Sequence, residues 1–296
     1  MASIFVRGLS RSGGTLMATI LDAHPDIAMS YETYEHLLMS SDGSTFELGD
    51  IVDQIRLASG GTLKRAFGRR GKQLDPNIKK FVGRAERSGI NADELISLLE
   101  EHFATESTLA TRTDRIRFVE RLTKAKMEAE GKTRWGAKIV STYEEFDSIY
   151  PDAKYLFMLR DGRDVAASRK MVGQFGQSVE HIADGWCRQI RKFEEFAQKA
   201  EGRAFFVSYE GLAKNPVDEL HALMRKLDLE WSDRLISYHS LNLSIHRNAT
   251  GHLSGDQVKS PISTESIGRW KRDLEETEAT RFRDVAEDVL KQYGYI

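Results

Sequence analysis

The chain has 296 residues, of which 40% are hydrophobic and 30% charged, and its formal net charge is −2. This composition is typical of an ordinary globular protein and argues against a disordered chain and a nucleic-acid-binding protein, whose surface is strongly basic. The longest apolar runs, such as Tyr155 to Leu159, are too short to span a membrane. The first residues lack the apolar segment of a secretory signal, so we expect a cytoplasmic location.

Cysteine content and local charge give two further constraints. Cys187 is the only cysteine, which excludes an intrachain disulfide and cysteine-based metal sites, and no histidines have zinc-ligand spacing. Between Lys64 and Arg87 there are nine Lys or Arg and two Asp or Glu. This stretch is either a solvated basic face or a loop or lid that attracts anions.

The chain begins with a pattern typical of a strand, a glycine loop and a helix. Ile4 to Val6 form a short apolar run, and apolar residues recur at helical spacing from Leu16 to Leu21. Gly8 and Gly13 have the spacing of the phosphate-binding loop Gly-x-x-x-x-Gly-Lys-Ser/Thr, but Gly14 stands where the lysine should be. Triphosphate chemistry needs that lysine on the phosphates. The loop therefore favours a phosphate bound by backbone N–H groups without a metal ion, and a plain strand-to-helix turn is the alternative.

The middle of the chain is less regular. Pro25 forces a turn, and Ile27 to Tyr31 is predicted to be a second strand that ends at Glu32. Residues 40–90 show weak periodicity and many helix breakers, which predicts an irregular excursion with some helix, extending to about residue 115. Within it, a helix should begin at Asn91, an N-cap residue.

The second half alternates strands and helices. The predicted elements are a helix over Arg117 to Glu130, a strand over Trp135 to Val140, a short helix ending between Asp147 and Pro151, a strand over Tyr155 to Leu159, helices over Val165 to Lys170 and Val179 to Phe193, a strand over Phe205 to Val207, and helices after Asn215 and around Phe282 to Leu290. Such alternation predicts an α/β fold with a parallel sheet covered by helices on both faces. No linker divides the chain, so residues 1–296 are predicted to form one domain.

Candidate binding residues follow the predicted strands. Ligands of parallel sheets bind at the carboxyl ends of the strands, where the loop at 8–14, Glu32, Arg160 and Tyr209 lie. Arg160 and Ser168, about two helical turns apart, suit a second phosphate. The alternative for Arg160 is an ion pair with Asp161 or Asp164.

Four stretches resemble the motifs of sulfotransferases, most of all those of the tyrosylprotein sulfotransferases. In chain order they are the run Arg11-Ser12-Gly13-Gly14-Thr15-Leu16-Met17 continuing through Leu21-Asp22-Ala23-His24-Pro25-Asp26 to Glu32-Thr33; Leu159-Arg160-Asp161-Gly162-Arg163 with Ser168; Val207-Ser208-Tyr209-Glu210; and Ser254-Gly255-Asp256-Gln257-Val258 followed by Pro261 and Gly268-Arg269-Trp270. They keep the family's order and span nearly the whole chain.

The resemblance implies a P-loop-like sulfotransferase fold and 3′-phosphoadenosine 5′-phosphosulfate (PAPS) as sulfuryl donor, with adenosine 3′,5′-bisphosphate (PAP) as product and no metal ion. It assigns the 5′-phosphate to Arg11, Ser12, Gly13, Gly14 and Thr15, the 3′-phosphate to Arg160 and Ser168, and further nucleotide contacts to Tyr209, Asp256, Gln257, Val258 and Arg269. Arg269 stands where the family has a lysine, which keeps the charge.

The resemblance also implies catalytic roles. Glu32 is the general base for an acceptor hydroxyl, Lys138 neutralises charge on the leaving phosphate oxygen, and Ser254 assists. A solvated glutamate and a surface lysine are the alternatives. A transferring sulfuryl group carries less charge than a phosphoryl group, which is consistent with the absence of a loop lysine.

The acceptor is left open by the sequence. Tyr34-Glu35-His36-Leu37-Leu38 stands where tyrosylprotein sulfotransferases carry arginines after the glutamate. A peptide tyrosine, a glycan and a small-molecule hydroxyl all remain candidates, and a homodimer is left open. The rival functions are a P-loop nucleotide kinase-like enzyme and a non-catalytic nucleotide-binding module, with no nucleic-acid partner and no membrane span expected.

Overall fold

In a computed structural model of the chain, residues 2–60, 73–106, 108–140, 143–173, 176, 178–247 and 255–296 are described. A parallel five-stranded sheet lies at its centre, with the spatial strand order β2-β3-β1-β4-β5. The strands are β1 (Ile4–Gly8), β2 (Ile27–Ser30), β3 (Arg134–Lys138), β4 (Lys154–Leu159) and β5 (Ala204–Ser208). Because every pairing is parallel, all five carboxyl ends meet at one edge.

Helices connect and cover the strands. They are α1 (Gly14–Asp22), α2 (Leu48–Ala58), α3 (Pro76–Arg87), α4 (Ala92–Glu106), α5 (Arg112–Ala129), α6 (Tyr143–Ile149), α7 (Gly162–Met171), α8 (Val179–Lys199), α9 (Tyr209–Lys214), α10 (Pro216–Leu227), α11 (Ser244–Arg247), α12 (Gly255–Val258), α13 (Trp270–Asp273) and α14 (Glu276–Gln292), with short 3₁₀ turns at Glu35–Leu38, Asp233–Leu235 and Tyr238–Ser240. No helix of the described part of the chain is long and apolar enough to cross a membrane.

Alternation along the strands explains why helices cover both faces of the sheet. Successive side chains of a strand point to opposite faces. In β1, Ile4 and Val6 pack in one cluster with residues of α1 and α10. Phe5, between them, packs on the other face with residues of α6 and α8. The prediction of a parallel sheet covered on both faces is therefore confirmed.

The excursion between β2 and β3 is more regular than its sequence indicates. Where described, it contains α2 and α3 in addition to the predicted helix after Asn91, which is α4, and these helices share one apolar cluster. Helix α3 begins at Pro76 and buries Ile78, Phe81, Val82 and Ala85 at helical spacing. Its other face is basic. In the sequence, a proline followed by many charged residues is also typical of a loop. Periodicity alone therefore did not predict this helix.

Candidate active site

A cavity of about 950 Å³ opens at the carboxyl edge of the sheet. Each strand end contributes to its wall, in spatial order: Glu32 after β2, Lys138 at the end of β3, the loop after β1, Arg160 after β4 and Tyr209 after β5. The site residues predicted from the sequence therefore include one from each of the five strand ends, and the fold brings them to one cavity.

The loop after β1 forms the centre of this wall. Arg11 and Gly13 have left-handed backbones, with φ of 76° and 89°, and α1 begins at Gly14. The first N–H groups of a helix have no intrahelical partner and suit an anion. Gly13 also lies against Tyr209, since a Cβ at position 13 would stand 2.8 Å from Cδ2 of that ring. Ser12 is buried, and its hydroxyl has no hydrogen-bond partner among the described residues.

Gly14 makes room for a lysine that comes from another strand. A Cβ at position 14 would lie 3.3 Å from Cε of Lys138. The Lys138 ammonium donates to the Thr15 hydroxyl at 2.9 Å. The positive charge missing from the loop sequence is thus supplied in space by β3.

Glu32 lies beside this lysine. Its carboxylate pairs with the Lys138 ammonium and accepts a hydrogen bond from the Thr15 hydroxyl at 3.4 Å. The two charged side chains are 14% and 16% exposed, so both reach the cavity while most of their surface is covered. The Glu32 backbone is left-handed, with φ of 60°.

Arg160 is buried, and no carboxylate of the described residues pairs with it. Only 4% of it is exposed. It donates to the carbonyls of Arg11 at 2.9 Å and Ser266 at 2.6 Å, and its guanidinium lies 4.3 Å over the Tyr209 ring. The alternative, an ion pair with Asp161 or Asp164, is wrong, because Asp161 pairs with Arg163 and the Asp164 carboxylate accepts backbone N–H groups.

Ser168 is linked to Arg160 by way of Arg11, which hydrogen-bonds to both residues. Its buried hydroxyl accepts from Nε of Arg11 at 2.9 Å, and Ser168 is not among the residues that line the cavity. Burial lowers the pKa of Arg11, and the charges of Arg160 and Arg269 lower it further. Cationic groups gathered in this way favour an anionic ligand.

The C-terminal motif is placed only in part. Ser254 lies outside the described residues, and of α12 only Val258 has a described side chain at the cavity wall, so the contacts of Asp256 and Gln257 stay predictions. Arg269 does not line the cavity; it forms an ion pair with Asp273 at 2.7 Å.

Asp164, which the sequence analysis did not assign to the site, holds the segment of Arg269. Its carboxylate accepts the N–H groups of Gly268 at 2.8 Å and Trp270 at 3.0 Å. Burial raises the pKa of Asp164, although these two hydrogen bonds oppose the rise. The only sequence signal for Asp164 was its position four residues after Arg160, which suggested an ion pair with Arg160 and not this role.

Helix α3 forms one wall of the cavity, and the sequence did not predict this. Lys79, Lys80, Gly83, Arg84 and Arg87 line the cavity on the side of Glu32. They recur at helical spacing, so the periodicity of the cations was the available signal. Residues 64–72 of the basic stretch lie outside the described residues. No group of His, Cys, Asp and Glu in the described ranges is arranged to hold a metal ion.

Comparison with known proteins decides the family. The model of the "Sulfotransferase family" matches residues 3–233. The chain belongs to the sulfotransferase family. It is therefore a member of a group of sulfuryl-transferring enzymes, and the resemblance seen in its sequence motifs is confirmed.

Its relatives include protein-tyrosine sulfotransferases. A Danio rerio protein-tyrosine sulfotransferase 1 is 24% identical, over 100% of this chain and 72% of its own. The Drosophila melanogaster protein-tyrosine sulfotransferase is 23% identical over 100% of this chain, which spans 52% of that relative. A Caenorhabditis briggsae relative with a name of the same group is 28% identical, over 99% of this chain and 88% of its own.

Solved structures show the same fold. The sulfotransferase domain from the curacin biosynthetic pathway has a TM-score of 0.58 at 16% identity, covering 96% of each chain. The sulfotransferase domain from the Synechococcus PCC 7002 olefin synthase has a TM-score of 0.56 at 16% identity, covering 98% of this sulfotransferase and 94% of that chain.

Proposed function

We propose that this sulfotransferase moves a sulfuryl group from PAPS to an acceptor hydroxyl. The single observation that carries the donor is Arg160, a buried cation whose described partners are carbonyls and a ring. A buried charge is stable only when it is paired, so its position at the cavity wall suits an anionic group. Together with the loop of α1, it gives anion sites on the neighbouring strands β1 and β4.

The 5′-phosphate is assigned to Arg11 and the backbone of Ser12 to Thr15, and the 3′-phosphate to Arg160. PAPS supplies the activated sulfuryl group. The acceptor oxygen forms a bond to sulfur as the bond from sulfur to the 5′-phosphate oxygen breaks. Glu32 takes the proton of the acceptor hydroxyl, and Lys138 neutralises the charge that develops on the leaving phosphate oxygen.

The ion pair between Glu32 and Lys138 fits these two roles. A general base must be within hydrogen-bond reach of the hydroxyl, and a charge-stabilising group must be near the leaving oxygen. Because Lys138 also contacts Thr15, the two groups stand at the junction between the loop and the wall formed by α3.

For the acceptor we propose a peptide tyrosine carrying acidic neighbours. The names of the relatives suggest the tyrosine, and the cations of α3 suggest the acidic neighbours. Lys79, Lys80, Arg84 and Arg87 form no ion pair with a carboxylate of the described residues. They replace, in this role, the arginines expected after Glu32.

The donor is tested by calorimetric titration of PAP and of ATP, both without magnesium. We expect PAP to bind to the wild type and to an Arg56→Ala control, an exposed arginine of α2, and to bind at least about tenfold more weakly to Arg160→Ala, since a lost charged hydrogen bond costs about 1.5–3 kcal/mol. Preference for ATP would favour the kinase-like enzyme instead.

Turnover separates an enzyme from a binding module. With radiolabelled PAPS and a tyrosine peptide, Glu32→Gln should lose turnover by about 100-fold or more while it still binds PAP, because only the proton transfer is removed. Unchanged turnover in Glu32→Gln would contradict the role of the base.

A further inference from the structure

Helix α3 contacts the backbone that carries Glu32 as well as the cavity. The Arg84 guanidinium donates from Nη1 to the Glu32 carbonyl at 3.1 Å. One turn later, the Ser88 hydroxyl accepts the N–H of Tyr31 at 2.9 Å and donates to the Arg84 carbonyl at 3.0 Å. Ser88 is completely buried. Arg84, near the end of α3, and Ser88, directly after it, therefore contact the peptide group that follows Glu32 and the one that joins Ser30 to Tyr31.

These contacts act on an unfavourable backbone conformation. Glu32 has φ of 60°, and a residue with a Cβ is disfavoured there because the Cβ approaches the following carbonyl oxygen. Such a conformation persists only where the surrounding structure enforces it, and it is common at functional sites. The Glu32 carbonyl also accepts the N–H of Tyr34 at 2.8 Å, which closes a tight turn.

The ring of Tyr34 completes the arrangement. The guanidinium of Arg84 lies 4.7 Å over that ring, while it donates to the Glu32 carbonyl. A planar guanidinium can stack on an aromatic face and donate in its own plane at the same time, whereas an ammonium is a compact point charge. Arginine is therefore the residue type suited to this position.

We propose that Arg84 is a positioning residue for Glu32. By holding the Glu32 carbonyl and stacking on Tyr34, it fixes the left-handed turn that directs the Glu32 carboxylate toward Lys138 and the cavity. The inference rests on the proposed function, in which Glu32 takes the acceptor proton. It assigns to Arg84 an action through the backbone of Glu32, separate from any attraction of an acidic acceptor.

The test compares Arg84→Ala, Arg84→Lys and Ser88→Ala with the wild type and with the Arg56→Ala control. We expect kcat of Arg84→Ala to fall by up to about 100-fold, because misplacing a reacting group by about 1 Å can cost that factor. The KM for PAPS and the affinity for PAP should not change. Arg84→Lys should recover part of kcat, because its ammonium can still reach the carbonyl.

Two acceptors separate positioning from acceptor binding. If Arg84 acts on Glu32, kcat of Arg84→Ala should fall by the same factor with a neutral and with an acidic tyrosine peptide. An unchanged kcat for both peptides, with KM raised only for the acidic one, would show that Arg84 acts on the acceptor alone and would overturn the inference. Ser88 is uncharged and is not part of the cavity wall. A fall in kcat in Ser88→Ala therefore supports positioning of Glu32 through its backbone and cannot come from lost charge.

A structural measurement is independent of turnover. Crystal structures of the wild type and Arg84→Ala should show that Glu32 leaves its left-handed conformation in the variant, and an unchanged Glu32 would overturn the inference. If Arg84→Ala does not fold, the same comparison with Arg84→Lys and Ser88→Ala decides it. Absence of turnover in the wild type would count against the proposed function alone.

Discussion

At the scale of single residues, the site depends on two glycines that leave space for side chains from other strands. Gly13 lies against Tyr209, which directly follows β5, and Gly14 lies against Lys138 at the end of β3. The loop is therefore shaped by its neighbours as well as by the phosphate-binding role that we propose for it. This accounts for glycine at position 14, where a nucleoside triphosphatase has its lysine.

We predict that Gly13→Ala weakens PAP binding by about tenfold or more. The variant needs a left-handed alanine, which costs about 1–2 kcal/mol, and its Cβ would stand 2.8 Å from the Tyr209 ring, so the ring has to move. Calorimetric titration of PAP measures the change. Gly49→Ala is the matched control, because no atom lies within 4 Å of its Cβ and its φ is not positive. Equal PAP affinity in the two variants would contradict the prediction.

At the scale of elements, helix α3 has two faces with different tasks. One face buries Ile78, Phe81, Val82 and Ala85 and holds the helix against α2 and α4. The other presents cations to the cavity, and Asp75 caps the start by accepting the N–H groups of Asn77 and Ile78. The apolar face therefore fixes where the charges stand relative to Glu32.

We predict that the double charge reversal Lys79→Glu with Lys80→Glu raises KM for an acidic tyrosine peptide several-fold. Both lysines are exposed, so each pairing contributes only about 0.2–1 kcal/mol, and the effect should shrink as salt is added. Initial rates at two ionic strengths measure it. The matched control reverses Lys192 and Lys199, two exposed lysines of α8 outside the cavity. A KM that rises equally for a neutral peptide would show that the acceptor is not recognised by charge.

At the scale of the whole molecule, a buried ionic cluster joins the central sheet to the excursion. Asp22 at the end of α1 accepts from the Lys126 ammonium at 2.7 Å, the Met29 N–H at 2.8 Å and the Tyr31 hydroxyl at 2.7 Å. Lys132 adds a second ammonium at 3.5 Å. The Asp22 segment, part of the first family motif, is thus structural: it joins α1, β2 and α5.

We predict that Asp22→Asn lowers the free energy of unfolding by about 1.5–3 kcal/mol at neutral pH, because Lys126 and Lys132 lose this carboxylate and keep their ion pairs with Glu130. Burial alone would raise the pKa of Asp22, but Lys126 and Lys132 outweigh it, so the pKa lies below its ordinary value of 3.8. The stabilisation is therefore fully present above about pH 4 and is lost as the pH falls further.

Urea unfolding between pH 3 and pH 7 measures this dependence. Over the acid range the stability of Asp22→Asn should fall less steeply than that of the wild type. Asp284→Asn, at an exposed position of α14, is the control and should follow the wild type. Parallel pH profiles for all three proteins would contradict the role of Asp22.

Much of the fold was readable from local patterns. All five strands were predicted within a few residues, because each is a short apolar run next to a glycine, proline or charged residue. The start of α4 was also predictable, since Asn91 accepts the N–H groups of Asp93 and Glu94 as an N-cap residue does. The excursion was not, because α3 is stabilised by packing against distant helices and its cavity face is charged.

By itself, the sequence predicted the loop from residue types at fixed spacing, and its resemblance to sulfotransferase motifs implied the family and the candidate base. The tertiary structure decided their arrangement. It places β1 between β3 and β4, so that Glu32 and Lys138 stand on one side of the loop and Arg160 and Tyr209 on the other. It also brings Arg84, remote in sequence, onto the Glu32 carbonyl. Strand order and contacts between distant residues arise from burial of whole faces, which no local pattern encodes.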